Sequence, residues 1–237
     1  GGIFSFGAHP FLGSTGGIQL SAPVVAMAPT PDRQGYYLLG ADGGLFTFGD
    51  APFHGSAVGR LGAPAVAMAV TPDGGGYWIT DATGRVLAFG NASNLGSAPP
   101  ALALPIVGMA PTVDGGGYWL VARDGGIFSF GDAGFYGSTG ALRLSAPVVG
   151  MAATFDGRGY WLVGADGGIF TFGDAGFYGS TGALRLNRPV VGMARTPTGL
   201  GYWLVGADGG IFTFGDAAYY GSTGGTALSR PVLGMAS

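Results

Sequence analysis

The sequence predicts an all-β fold made of tandem repeats, a β-propeller of about six four-stranded blades, each built from a 41–42-residue unit. Three observations predict it: landmark residues recur at a fixed period, each period carries four short apolar segments bounded by turn residues, and the strongest polar helix formers are missing. Pro23, Pro64, Pro105, Pro147, Pro189 and Pro231 are spaced by 41, 41, 42, 42 and 42, and each is followed four residues later by one of the six methionines. The pairs Tyr36-Tyr37, Tyr77-Trp78, Tyr118-Trp119, Tyr160-Trp161 and Tyr202-Trp203 keep the same period and contain every tryptophan. All acidic residues are Asp and all basic residues Arg; without Glu or Lys, and with 51 glycines, helix is disfavoured. The 47% hydrophobic content separates the chain from a disordered glycine-rich linker.

The units are 1–22, 23–63, 64–104, 105–146, 147–188 and 189–230, with 231–237 a closing strand, all in one domain. In the clearest unit, segment A is Val148 to Ala152, B is Tyr160 to Gly164, C is Ile169 to Phe172 and D is the short Phe177-Tyr178-Gly179. Along A, Val149 and Met151 are expected on one face and the small Gly150 and Ala152 on the other, which lets A approach its neighbours at a crowded centre while D lies at the rim. Asp166-Gly167 between B and C, matched by Asp42-Gly43, Asp124-Gly125 and Asp208-Gly209, predicts a two-residue type I′ hairpin. The A-to-B and C-to-D links are equally rich in turn residues.

One unit cannot bury both faces of its sheet, so neighbours must stack; a ring also protects the sheet edges. An open β-solenoid, or an arc of a larger propeller, is the alternative. Thr83 to Ser97 forms a divergent unit that has lost the Asp-Gly turn and several aromatics. The count is uneven as well: six A, C and D segments are present but five B segments. Ring closure would bring Pro231–Ala236 beside Gly2–Ser14 with one central strand unsupplied. The chain opens within a repeat, on Gly1-Gly2-Ile3-Phe4, with no leader pattern, and the parent protein's own N-terminus is expected upstream.

The order of apolar strand, aromatic strand, Asp-Gly-Gly, Ile-Phe-Thr-Phe-Gly-Asp and Gly-Ser resembles repeats of the regulator-of-chromosome-condensation superfamily, with Tyr-Gly-Ser where that family has Gln-Leu-Gly. The stretch from Gly159 to Gly182, GYWLVGADGGIFTFGDAGFYGSTG, is also similar to repeats at the ends of secreted actinobacterial proteins, often beside a hydrolase or cell-wall domain. The first resemblance implies a propeller, and the second an extracellular or cell-surface accessory module.

Composition narrows the function classes. A net charge of −3 offers no basic field for nucleic-acid phosphates, and no apolar run is long enough to span a membrane as a helix. There is no Cys for a disulfide or a nucleophile. A catalytic site should break the repeat, and none does: His9 and His54 occupy different repeat positions, reading as surface substitutions. The segment GDAGFYGSTG from Gly173 lacks the Lys and the following helix of a phosphate loop. Asp166 and Asp174 flank one strand, roughly 20 Å apart, and cannot share an ion; Asp156 and Asp174 share an end but read as turn formers. The expectation is therefore a non-enzyme with no metal and no cofactor.

The aromatics of B and C read as packing between units. The second D position varies as Leu12, His54, Leu95, Tyr136, Tyr178 and Tyr220, which predicts partial exposure. Tyr136, Tyr178 and Tyr220 beside Asp132, Asp174 and Asp216 form the candidate ligand sites, because an exposed ring stacks on a sugar and a carboxylate accepts its hydroxyl protons. The expected partner is a glycan or cell-wall polysaccharide. The competing reading is a scaffold that docks a protein partner at the ring face, where the loops carry Gln19, Arg60, Ala101, Arg143, Arg185 and Ala227, or at the open edge of the incomplete blade.

Overall fold

A computed structural model describes all 237 residues. It is all-β and has no helix: fifteen strands form five separate three-stranded antiparallel sheets. These are β1 (Val24–Pro29), β2 (Gly35–Gly40) and β3 (Leu45–Gly49); β4 (Ala65–Val70), β5 (Gly76–Asp81) and β6 (Val86–Gly90); β7 (Ile106–Pro111), β8 (Gly117–Ala122) and β9 (Ile127–Gly131); β10 (Val148–Ala153), β11 (Gly159–Gly164) and β12 (Ile169–Gly173); and β13 (Val190–Arg195), β14 (Gly201–Gly206) and β15 (Ile211–Gly215). Each sheet is one A, one B and one C segment in chain order, with B in the middle.

The D segment is not a fourth strand, and the sheets number five, not six. D is too short to build a ladder, and its backbone groups are taken by side chains instead. The Tyr202 hydroxyl accepts from Tyr178 N–H at 3.2 Å and donates to the Gly179 carbonyl at 2.6 Å. Gly179 itself has φ +128°, and a Cβ built there would lie 2.6 Å from the Phe214 ring. No sixth sheet forms because Gly2–Phe6 and Val232–Ser237 have no B segment between them to complete a ladder.

The B–C hairpin also differs from expectation. Gly167 has φ +77° whereas Asp166 does not have positive φ, and the bonds run from Gly167 N to Gly164 O and from Gly164 N to Gly168 O. This is a three-residue loop closed by a glycine bulge. Asp166 takes part through its side chain, accepting from Gly168 N–H at 2.9 Å. Asp42, Asp124 and Asp208 do the same for Gly44, Gly126 and Gly210.

Alternation along B builds the core. Tyr160 and Leu162 pack one way, against Trp119, Val121 and Ala110 of the preceding sheet, while Trp161 and Val163 pack the other way, against Tyr202 and Leu204 of the next. Both faces are covered, so every residue of β11 is buried. Each aromatic removes on the order of 150–250 Å² from water, which makes the Tyr-aromatic pairs the dominant apolar term. A bulge separates Val148 from Gly150 in the pairing of β10 with β11 and breaks the alternation expected for A. As a result Met151 joins Val148 and Tyr160 in one inter-sheet layer while Val149 packs into the next, so these two residues do not share a face.

The A strands lie side by side in the order β1, β4, β7, β10, β13. Main-chain bonds staple them: Val190 N–H donates to Ala165 O at 2.9 Å, with the same bond from Ala65, Ile106 and Val148 to the preceding turn. Val232 N–H repeats it to Ala207 O, and a Cβ built on Gly192 would lie 3.3 Å from Gly234 Cα, which places the C-terminal A segment next to β13. The six A segments enclose a channel of about 240 Å³ lined by triplets such as Val149-Gly150-Met151 and Leu233-Gly234-Met235.

Candidate functional site

At one end of every sheet lies a polar knot that sequence reasoning missed. Immediately after the A strand stands Thr30, Thr71, Thr112, Thr154 or Thr196, all buried. In the first unit the Thr30 hydroxyl accepts from Gly35 N–H at 2.8 Å and donates to Asp32 Oδ1 at 2.7 Å. Thr112 likewise reaches Asp114 Oδ1 at 2.9 Å and Asp132 Oδ1 at 3.0 Å. The recurring Thr-Pro-Asp, Thr-Val-Asp, Thr-Phe-Asp and Thr-Pro-Thr at the repeat period carry the signal for this knot.

The knot joins the A–B turn to the start of the C–D link, and it brings two carboxylates together in three units: Asp32 with Asp50, Asp114 with Asp132, and Asp156 with Asp174. In the Asp32–Asp50 and Asp156–Asp174 pairs the like charges favour sharing one proton. Desolvation, then the hydrogen bond and charge of Asp156, hold Asp174 above its ordinary value. The Arg158 N–H beside Asp156 leads the contacts that hold that carboxyl below it. Asp50 and Asp32 divide the same way. The other two units replace one member with a hydrogen-bond donor: Asn91 Nδ2 donates to Asp73 Oδ2 at 2.6 Å, and the Thr198 hydroxyl donates to Asp216.

The predicted Tyr–Asp sites divide accordingly. Asp132 is engaged by Thr112, Asp174 by its pairing with Asp156, and Asp216 by Thr198. Tyr136 and Tyr178 are half-buried, and their hydroxyls donate to Gly157 O at 3.1 Å and Gly199 O at 3.3 Å in the A–B turn of the next unit. No hydrogen bond joins Tyr178 to Asp174. Tyr220, by contrast, is exposed, with its ring 6.4 Å from that of Trp203.

The residue preceding each of these positions is the outward one. Phe11, Phe53, Phe135, Phe177 and Tyr219 are 59–64% exposed, and only the divergent unit, with Asn94, lacks an aromatic there. Variation pointed to the second D position, but in the units of Phe135 and Phe177 the first is the more exposed of the two, because Tyr136 and Tyr178 reach across to the next turn.

The divergent unit holds a second polar centre. Asp81 ends β5, where the other sheets have Gly or Ala, and it is fully buried. Its Oδ1 accepts from Thr83 N–H (2.9 Å), Thr83 Oγ1 (2.6 Å) and Arg85 N–H (3.1 Å), and its Oδ2 accepts from Gly62 N–H (3.0 Å) and Ala63 N–H (3.3 Å). Burial opposes its charge, yet these donors together outweigh burial and hold the carboxyl below its ordinary value. One buried carboxylate thus does the work of the missing Asp-Gly turn.

No cluster of three or more His, Asp, Glu or Cys side chains is gathered in metal-binding geometry, and no helix is long and apolar enough to cross a membrane. No known protein family matches the chain, and no curated protein matches it.

Proposed function

We propose that this chain is a β-propeller-type, non-catalytic binding module of a secreted or cell-surface protein, and that it recognises a glycan or cell-wall polysaccharide through equivalent shallow sites repeated around the ring. The observation that carries the proposal is the exposed aromatic found at one repeat position in five of six units, three residues after Asp50, Asp132, Asp174 and Asp216. Exposed Phe and Tyr rings serve as stacking platforms for sugar rings, and the neighbouring carboxylates accept hydroxyl protons. Tyr220 adds a second exposed ring in its unit, and the Tyr136 and Tyr178 hydroxyls tie the residues next to Phe135 and Phe177 to the following unit. Weak sites repeated on a rigid frame gain strength against a polymer by avidity. The similarity to repeats of secreted actinobacterial proteins supports an extracellular location, and the low net charge disfavours nucleic acid. Glycan arrays and pull-down on insoluble cell-wall polysaccharides test the proposal: retention that falls in the Phe53→Ala, Phe135→Ala, Phe177→Ala triple variant supports it, and absence of retention on every glycan sinks it.

A further inference from the structure

A pocket of about 440 Å³ opens between the loop that enters β7 and the loop that enters β10, at the turn that joins β8 to β9. The first loop supplies Leu104 and Pro105, the second Leu142, Leu144 and Ser145, and the turn Arg123 and Asp124. The pocket lies at the opposite end of the sheets from the Thr–Asp knots and shares no residue with them or with the exposed rings of the D segments. Two of its residues break the repeat. Arg123 stands where the equivalent turns have Ala41, Ala82, Ala165 and Ala207, and Leu104 precedes its proline where the other loops have Ala22, Ala63, Ala146, Arg188 and Arg230.

The frame does not need the arginine. Arg123 N–H donates to Pro105 O at 2.9 Å and Val148 N–H donates to Arg123 O at 2.9 Å, but Ala165 makes the same two bonds with Pro147 and Val190. What is new at this turn is therefore the side chain. It is exposed and has no ion-pair partner, since the one ion pair of the chain joins Arg158 to Asp156. The adjacent Asp124 is turned to its own hairpin, where its Oδ1 accepts from Gly126 N–H at 2.9 Å. Around the guanidinium the walls are aliphatic and open to solvent: Leu104 is 43% and Leu142 60% exposed. Arg143, between the two leucines of the second loop, adds another positive charge there. That loop is tied down before any ligand arrives, because Leu142 N–H donates to Thr139 O at 2.8 Å and the Thr139 hydroxyl donates to Asp124 O at 2.9 Å. A site held in this way loses little freedom on binding.

We propose that this pocket binds an apolar monocarboxylate. The planar fork of Arg123 takes the carboxylate, and Leu104, Leu142 and Leu144 take the apolar body. Asp124 in the same wall repels a second negative charge, which sets a monoanion apart from a dianion. The inference is independent of the glycan proposal, because it concerns other residues at the other end of the sheets.

Titration of the chain with N-acetyl-leucine, followed by backbone amide chemical shifts, is expected to saturate at one per chain in the millimolar range, with the shifts centred on Arg123, Asp124 and Ser145. N-acetyl-leucinamide, the same body without the charge, is expected to bind about tenfold more weakly. Arg123→Ala installs the residue of the equivalent turns and Leu104→Ala that of three other loops, so both are expected to fold with Tm unchanged. The first abolishes the preference for acid over amide, and the second weakens both ligands. Arg123→Gln keeps much of the side chain without the charge and gives the same reading as Arg123→Ala should the alanine variant lose stability. The tripeptide Ala-Ala-Leu distinguishes two sources of the carboxylate: tighter binding than N-acetyl-leucine assigns a peptide C-terminus, and equal or weaker binding a small free acid. No saturable shift at these residues, equal binding of acid and amide, or an acid preference that survives Arg123→Ala overturns the proposal. So does an equal loss in Arg185→Ala, since Arg185 is the counterpart of Arg143 one unit on and its effect would mark unspecific attraction to positive charge.

Discussion

The hydroxyl of Tyr202 reaches back one unit to D, donating to Gly179 O at 2.6 Å and accepting from Tyr178 N–H at 3.2 Å. Tyr178 in turn sends its own hydroxyl forward to Gly199 O at 3.3 Å. Neighbouring sheets are thus latched in both directions, and burial raises the pKa of Tyr202, so the hydroxyl stays protonated and able to donate.

Tyr202→Phe keeps the ring against Trp161 and removes only the latch. Two half-buried backbone groups lose their partner, which is expected to cost about 1–3 kcal/mol. Chemical denaturation measures it: an unchanged midpoint would mean that water replaces the hydroxyl without loss.

Asp81→Asn is nearly isosteric but sets an NH₂ against donors, since both oxygens of Asp81 already accept hydrogen bonds from N–H or O–H groups. A loss of about 2–4 kcal/mol is expected, the mark of a broken buried network. The folded-state pKa lies below the ordinary 3.8, so the carboxylate contributes stability above pH 3.8 and loses it as pH falls through the folded value. The wild type should therefore lose stability below about pH 4, and the variant should lack that component. Parallel acid-denaturation curves for the two proteins would disprove the assignment.

Asp174→Asn should raise Tm at pH 7. It converts the Asp156–Asp174 pair into the arrangement of Asp73 with Asn91, in which an amide donates to a carboxylate. The raised folded-state pKa of Asp174 gives stability that is present below pH 3.8 and lost as pH rises through the folded value. The advantage of Asn should therefore be greatest near neutrality and close in acid, where the protonated Asp174 donates in the same way. A lower Tm for the variant at pH 7 would count against the shared-proton reading.

Phe135→Ala and Phe177→Ala remove exposed rings and should leave folding within about 0.5 kcal/mol of wild type. Polysaccharide retention is expected to fall in each and to fall further in the double variant. If Tm drops sharply, the rings are packing elements, and the glycan proposal loses its platform.

The repeat period, the all-β character and the central position of the small-residue A segments were written in the sequence, because glycine, proline and alternating apolar residues act locally and recur at fixed spacing. The recurring Thr-x-Asp was equally visible there, but its role depends on Asp132 or Asp174 arriving from the far end of the C strand, which only pairing achieves. Tertiary structure decided the rest. D resembles a strand in composition, yet it is held by tyrosine hydroxyls from the next unit and joins no sheet. Val149 and Met151 part company because a bulge shifts the register by one residue, and nothing in the run Val-Val-Gly-Met announces it. Phe177 is exposed while Tyr178 is half-buried, since only the tyrosine hydroxyl can reach the carbonyl of Gly199 in a unit more than twenty residues away. Local chemistry sets the strands and turns, but which side chain is exposed depends on distant partners brought near by the packing of one sheet on the next.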